Sequence, residues 1–369
     1  MFTPKLKLPV HGQGVFLFYA KADPSFTLVG SKFKVAIKNK KFQVTGPNGP
    51  LVDPDNRELS TAPGAYYWFS IDSQNQNMCA GVGEARIETH TYKYFFTQSP
   101  ETKKMLEGIT HISYKNLTPI KVLRDPITNI VPLLVVDTQH ITMDSVAEGY
   151  IMPVANLPLT SQKLYNCISG PNFTLENSFP EFYNAIEYSL ATPGCWCYET
   201  IKKKSTEFNK TPNIAETYLR ITLGQNNGES PGIPYVMEIW PPGHYSPVHS
   251  HAGAEAVIRV LEGSINVSMY PFLSADVKAF DNADFVKGDV MWISPTLNQT
   301  HQLMNTEVKT CVTIQCYMYD GNNSKHYDYF DYLDNDGVVQ QYTPDTDMDF
   351  VEFKQLMQDE WVTKPSCWR

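Results

Sequence analysis

The chain has 369 residues, 42% hydrophobic and 19% charged, a globular composition too long for one ordinary core and suggestive of two domains. Its 39 acidic residues outnumber 30 basic ones for a net charge of -9, and no basic cluster or aromatic-basic stripe interrupts them, which excludes nucleic acid as an expected partner. Seven cysteines are an odd, sparse set that implies no disulfide framework.

Met1 to Val10 lacks the apolar stretch of a secretory leader, and the longest apolar run, Ile130 to Val136, is far short of a membrane span. A cytoplasmic protein with no membrane partner is therefore expected. From Val15 to about Thr142 the pattern is strand after strand: Phe16 to Ala20, Phe33-Val35-Ile37 in alternation, Phe42 to Val44, Tyr66 to Ile71, Ile87 to Phe96 and Leu133 to Val136. Turn signals at Asn48-Gly49-Pro50, Asp53-Pro54-Asp55 and Pro63-Gly64 separate them, and an all-β sandwich of unknown role is predicted for residues 1–155. Gly81-Val82-Gly83-Glu84-Ala85-Arg86 lacks the last glycine of a dinucleotide loop and runs into a strand, so no nucleotide site is expected there.

The irregular stretch between Tyr150 and Gly170, with Pro153 and Pro158, marks the expected domain boundary, leaving 156–369 as the second domain. A helix is predicted next, with Ser178 as N-cap, Glu181 as its capping-box partner, Phe182, Ile186 and Leu190 on one face, and an end at Pro193-Gly194. Cys195 and Cys197 read as packing residues, and Lys202-Lys203-Lys204 as a solvated helix face. Strands return at Tyr218 to Leu223, Tyr235 to Trp240, Ala256 to Leu261, Ile265 to Pro271, Val290 to Ile293 and Cys311 to Tyr319, enough to close a small barrel. A terminal helix is expected around Phe350 to Met357.

Within this barrel His249 and His251 stand one residue apart ahead of an apolar strand. Side chains at i and i+2 of a strand share a face, so both imidazoles can grip one metal ion. His301, after Gly288 to Pro295 and before Asn305, is a candidate third ligand, since imidazole suits iron, copper, nickel and zinc. The alternative is a solvated turn pair and an unrelated histidine.

Over roughly Ser178 to Tyr319 the chain resembles the cysteine dioxygenase family of thiol dioxygenases, within the cupin superfamily. Tyr218-Leu219-Arg220 falls at that family's Tyr-x-Arg, Trp240-Pro241-Pro242-Gly243-His244 at its Trp-x-x-Gly-His, and Thr313-Ile314-Gln315-Cys316-Tyr317 at its Ser-x-His-x-Tyr. The resemblance implies a jelly-roll barrel that holds Fe(II) through His249, His251 and His301 and oxidises a small thiol to its sulfinate with O2. It implies further that Arg220 binds a substrate carboxylate, so that cysteine or 3-mercaptopropionate should outperform cysteamine. Tyr317 resembles the active-site tyrosine, and His244 would assist from behind the ligands or face solvent. Bottom-up, an always-charged guanidinium suits a carboxylate, although a surface salt bridge for Arg220 and a core role for Tyr317 stay open.

Two departures accompany the resemblance. Gln315 replaces the histidine that orients the tyrosine, so that relay must be rebuilt or absent, and Ala256 replaces the cysteine of the thioether cross-link. Glu255, four residues after His251, also suits the fourth ligand of an oxalate decarboxylase-like or oxidase-like cupin. A non-catalytic ligand-binding cupin is the remaining alternative.

Overall fold

The structure is a computed structural model and describes residues 4–224, 234–319 and 329–365. It is mostly β and divides into two compact units, Met1–Val131 with Asp276–Phe280, and Pro132–Ala275 with Asp281–Arg369.

The first unit holds β1 (Lys5–Lys7), β2 (Gln13–Val29), β3 (Lys34–Lys38), β4 (Lys41–Gly46), β5 (Gly49–Leu51), β6 (Tyr67–Asp72), β7 (Asn77–Val82), β8 (His90–Phe95) and β9 (His111–Leu123). They form one antiparallel sheet in the order β5-β4-β3-β2-β6-β7-β8, with β9 along the other side of β2 and β1 beyond it. The first half of β2 pairs with β6 and the second half with β3. Register slips between Ala20 and Ser25, where the strand bends. Phe16 and Phe26 lie ten residues apart, about 33 Å in a straight strand. Their ring centroids are nonetheless 5.5 Å apart, and Phe26 meets Phe69 of β6 edge-on at 5.2 Å. The two layers of the sandwich are thus halves of one folded sheet around a single aromatic core. Gly81 of β7 is required by close packing, since a Cβ there would stand 2.6 Å from the Trp68 indole. Helix α1 (Pro100–Glu107), capped by Ser99 through the Thr102 amide, was not predicted.

The second unit begins earlier than expected. Strand β10 (Leu134–Val136) pairs with β11 (Met152–Pro153) and with the barrel strand Val290–Ile293, so both belong to the barrel, and the units divide at 131/132 instead of 155/156. Helices α2 (Met143–Glu148) and α3 (Leu159–Ile168) follow. The predicted helix is α4 (Phe182–Ala191), and it starts after Glu181 with no side-chain cap. Ser178 instead closes a turn through its amide onto Leu175, and Leu190 is only half-buried, the buried face being Phe182, Ala185, Ile186 and Ser189. Then come α5 (Trp196–Lys203), β12 (Leu219–Leu223), β13 (Tyr235–Trp240), β14 (His249–Ser250), β15 (Glu255–Glu262), β16 (Ser264–Tyr270), β17 (Asp281–Val286), β18 (Val290–Ile293), β19 (Thr300–Met304), β20 (Cys311–Met318), β21 (Phe330–Leu333), β22 (Val339–Tyr342), β23 (Met348–Asp349) and α6 (Phe350–Thr363).

These strands make two sheets, β11-β10-β18-β15-β20-β13-β12-β23 and β17-β16-β19-β14-β21-β22. Helix α3 packs on β15 and β20, and α5 and α6 pack on β12, so the larger sheet is covered on its outer side. That explains why β15, β18 and β20 are buried at nearly every position instead of alternating. The double sheet is an all-β jelly-roll barrel. Cys197 is buried as expected, and the six described cysteines are all free.

Candidate metal centre

Strand β14 lies between β19 and β21 in the smaller sheet, which sets His249 directly across from His301 on one side and Tyr332 on the other. His251 follows at the end of the strand. There Ala252 and Gly253 both take positive φ, and the Ala254 amide returns to the His251 carbonyl at 2.9 Å. One candidate ligand atom from each of His249, His251 and His301 lies within 4.8 Å of the others. His249 Nδ1 is 3.0 Å from the Pro247 carbonyl and His301 Nδ1 is 3.0 Å from the Asn298 carbonyl, so each ring donates there and leaves a lone pair on Nε2. His251 Nε2 is 3.2 Å from His301 Nε2, while its buried Nδ1 has no hydrogen-bond partner.

Burial holds all three imidazoles neutral, the state in which they ligate metals: His249 is pushed down to about 4, His301 to about 3, and His251 well below its ordinary range. Three neutral, converging imidazoles with two tautomers fixed by carbonyls fit a divalent transition metal.

Glu255 stands outside this group. Its Oε2 accepts from Ser161 Oγ on α3 at 2.6 Å. The reason is strand parity: Ala256 lies across from Tyr317 on the inner face, so its neighbour Glu255 turns to the helix-covered outer face. The same pairing puts Ala256 beside Tyr317.

The larger sheet supplies the facing wall. Tyr317 is buried, with its ring 5.5 Å from that of His251 and nearly parallel to it. Its hydroxyl donates to Gln315 Oε1, and Gln315 Nε2 donates to Glu238 Oε2. Arg220 Nη1 donates to Glu238 Oε1 at 2.6 Å, the two residues facing each other across β12 and β13. Tyr317, Gln315 and Glu238 thus form one hydrogen-bonded chain that ends on a buried carboxylate. Glu238 is raised to about 7 by burial, against the lowering effects of Arg220 and Lys204. Arg220 is neither a surface residue nor an uncommitted clamp; it is buried on Glu238. His244 points elsewhere: its Nδ1 is 2.9 Å from the Thr217 carbonyl, and it does not line the cavity that holds the other site residues.

That cavity has room of about 20 Å³, little more than one water molecule requires, so a substrate of more than a few atoms must displace side chains. Phe208, Tyr218, Trp240, Phe330, Tyr332 and Tyr342 line it around the polar groups. Glu238 went unrecognised in the sequence, although a lone carboxylate in Val236-Met237-Glu238-Ile239-Trp240 shares the inner parity of Trp240 and was the available signal. Tyr332 was also missed, and the alternation Phe330-Asp331-Tyr332-Leu333 could have revealed its strand.

Fold and site together give a jelly-roll barrel with a three-histidine candidate metal centre. No family model matches the chain. Among solved structures it is similar to a putative sugar phosphate isomerase from Acidithiobacillus ferrooxidans, at 18% identity over 36% of this chain and 79% of that one, with a TM-score of 0.25. A Cupin 2 conserved barrel domain protein from Salinispora arenicola matches at 16% identity over 28% of this chain and 75% of that one, TM-score 0.22. An oxalate oxidase in complex with the substrate analogue glycolate matches at 18% identity over 29% of this chain and 52% of that one, TM-score 0.23. No described helix is long and apolar enough to cross a membrane.

Proposed function

We propose that the second unit binds Fe(II) through His249, His251 and His301 and oxidises a small thiol to its sulfinate with dioxygen. The observation that carries this reading is the set of three neutral imidazoles facing a buried tyrosine, with no carboxylate grouped with them among the described residues. The balance is R–S⁻ + O2 → R–SO2⁻: two sulfur–oxygen bonds form, the O–O bond breaks, and sulfur gives up the four electrons that dioxygen takes. Fe(II), when bound, would supply the redox chemistry and favour the thiolate form of the substrate.

The chain's own contribution is positional. The Pro247 and Asn298 carbonyls hold two rings in the metal-binding tautomer, and burial keeps protons off all three. Gln315 holds the Tyr317 hydroxyl on the cavity side, where it can turn as a donor to the substrate. Glu255, engaged by Ser161, lends no support to a four-ligand cupin. An Fe(II)-dependent reaction on a free thiol suits the reducing cytoplasm.

The test is thiol-dependent oxygen uptake by the iron-loaded protein, with the product gaining two oxygen atoms by mass. Uptake without any such product, or activity only with manganese and no thiol, removes the proposal.

A further inference from the structure

Granted the thiol dioxygenase reading, we infer that the substrate's far end is a protonated amine and not a carboxylate. The Arg220 Nη1 that would meet a substrate carboxylate already donates to the protein's own Glu238. Both partners of that pair are buried and 2.6 Å apart, and the second carboxylate oxygen is engaged by Gln315. A substrate carboxylate would have to enter beside a carboxylate already committed there, either leaving Glu238 buried without its cation or standing next to a like charge. Recognition through Arg220 therefore works against a carboxylate.

The rest of the wall suits a cation. Phe208, Tyr218, Trp240 and Tyr342 present ring after ring, with centroids 6.0 Å apart for Phe208–Tyr218, 5.0 Å for Phe208–Tyr342 and 4.3 Å for Tyr218–Trp240. Aromatic faces attract an ammonium through their quadrupole, and more strongly in a dry site. Tyr218 already carries one such cation, Lys204 Nζ at 5.7 Å from its ring. Among the described residues, the charged groups on this side include Glu238, Glu207, Asp347, Arg220 and Lys204: Glu207 accepts from Tyr342 Oη at 2.8 Å, Asp347 accepts from the Arg220 amide at 2.7 Å, and Lys204 lies on both. The narrowness of the cavity restricts the ligand to a small aminothiol, for which cysteamine is the probe.

The experiment compares cysteamine with 3-mercaptopropionate on the iron-loaded full chain. Anaerobic calorimetry reads Kd for each, and oxygen uptake then reads kcat/KM. Cysteamine is expected to bind and turn over at least about 10-fold better, and Glu238→Gln, which keeps the shape but removes the charge, should shift that ratio toward 3-mercaptopropionate by about 10-fold or more. Equal or better performance of 3-mercaptopropionate in the wild type overturns the inference. So does a lack of binding by either thiol, or an unchanged ratio in folded Glu238→Gln protein. If cysteamine binds preferentially but neither thiol consumes oxygen, the dioxygenase reading fails while the assignment of the amine end stands.

Discussion

Removing the three imidazoles from water both readies them for a metal and destabilises the metal-free protein in acid. Their folded-state values lie below the ordinary 6.5, so the stability they contribute is complete above that pH and is lost as pH falls toward about 4 for His249 and about 3 for His301. Glu238 acts with the opposite sign: raised from 4.5 to about 7, its contribution is complete below 4.5 and is lost as pH rises through 7. Between pH 6.5 and 4.5 the histidines outnumber the carboxyl, so metal-free protein should lose roughly 1.4 kcal/mol per pH unit for each net proton taken up on unfolding. Thermal melts of metal-free protein across that window check this, and a flat or rising Tm on acidification contradicts it. His301→Ala removes one ligand of the group, and metal analysis should show lower iron content in protein that still folds. Full occupancy in that variant would remove His301 from the centre.

At the scale of elements, strand parity decides which side chains reach the chemistry. Ser161 ties α3 to the outer face of β15 through Glu255. Ser161→Ala should therefore cost about 1–3 kcal/mol, the penalty for a buried carboxylate that loses its partner, without lowering iron content. Glu255→Gln should likewise retain metal and most turnover; metal loss in either variant would return Glu255 to the centre. The paired histidines were legible because i and i+2 of a strand share a face whatever the rest of the fold does. Tyr317 and Arg220 were located through a resemblance, but the state of Arg220 was not legible: its partner Glu238 lies 18 positions away, and only the β12–β13 register brings the two carbons opposite. Ser178 misled for a local reason, since serine before a proline and glutamate satisfies a capping pattern that this chain uses for a turn.

For the whole molecule, the division into a β unit and a barrel was legible from strand density, but its position was not. Pairing between segments far apart in sequence decides it. Leu134 and Val135 of β10 lie across from Met291 and Val290 of β18, and the Trp292 indole donates to the Pro132 carbonyl at 3.0 Å. The proline-rich stretch near 155 that resembles a linker instead carries β11, which pairs with β10 inside the barrel unit. Residues 276–280 leave the barrel between β16 and β17 and join the first unit, where the Phe280 ring lies under the Arg86 guanidinium at 4.6 Å. A fragment starting at 156 would strip β10 and β11 from the edge of β18, uncovering backbone donors and acceptors and the Trp292 indole nitrogen. A fragment starting at 132 keeps them. We therefore expect residues 132–369 to fold and take up iron through the three histidines, and residues 156–369 to melt at a lower temperature or aggregate. Side-by-side thermal melts and metal analysis of the two fragments decide it, and equal stability would place the working boundary back near 155.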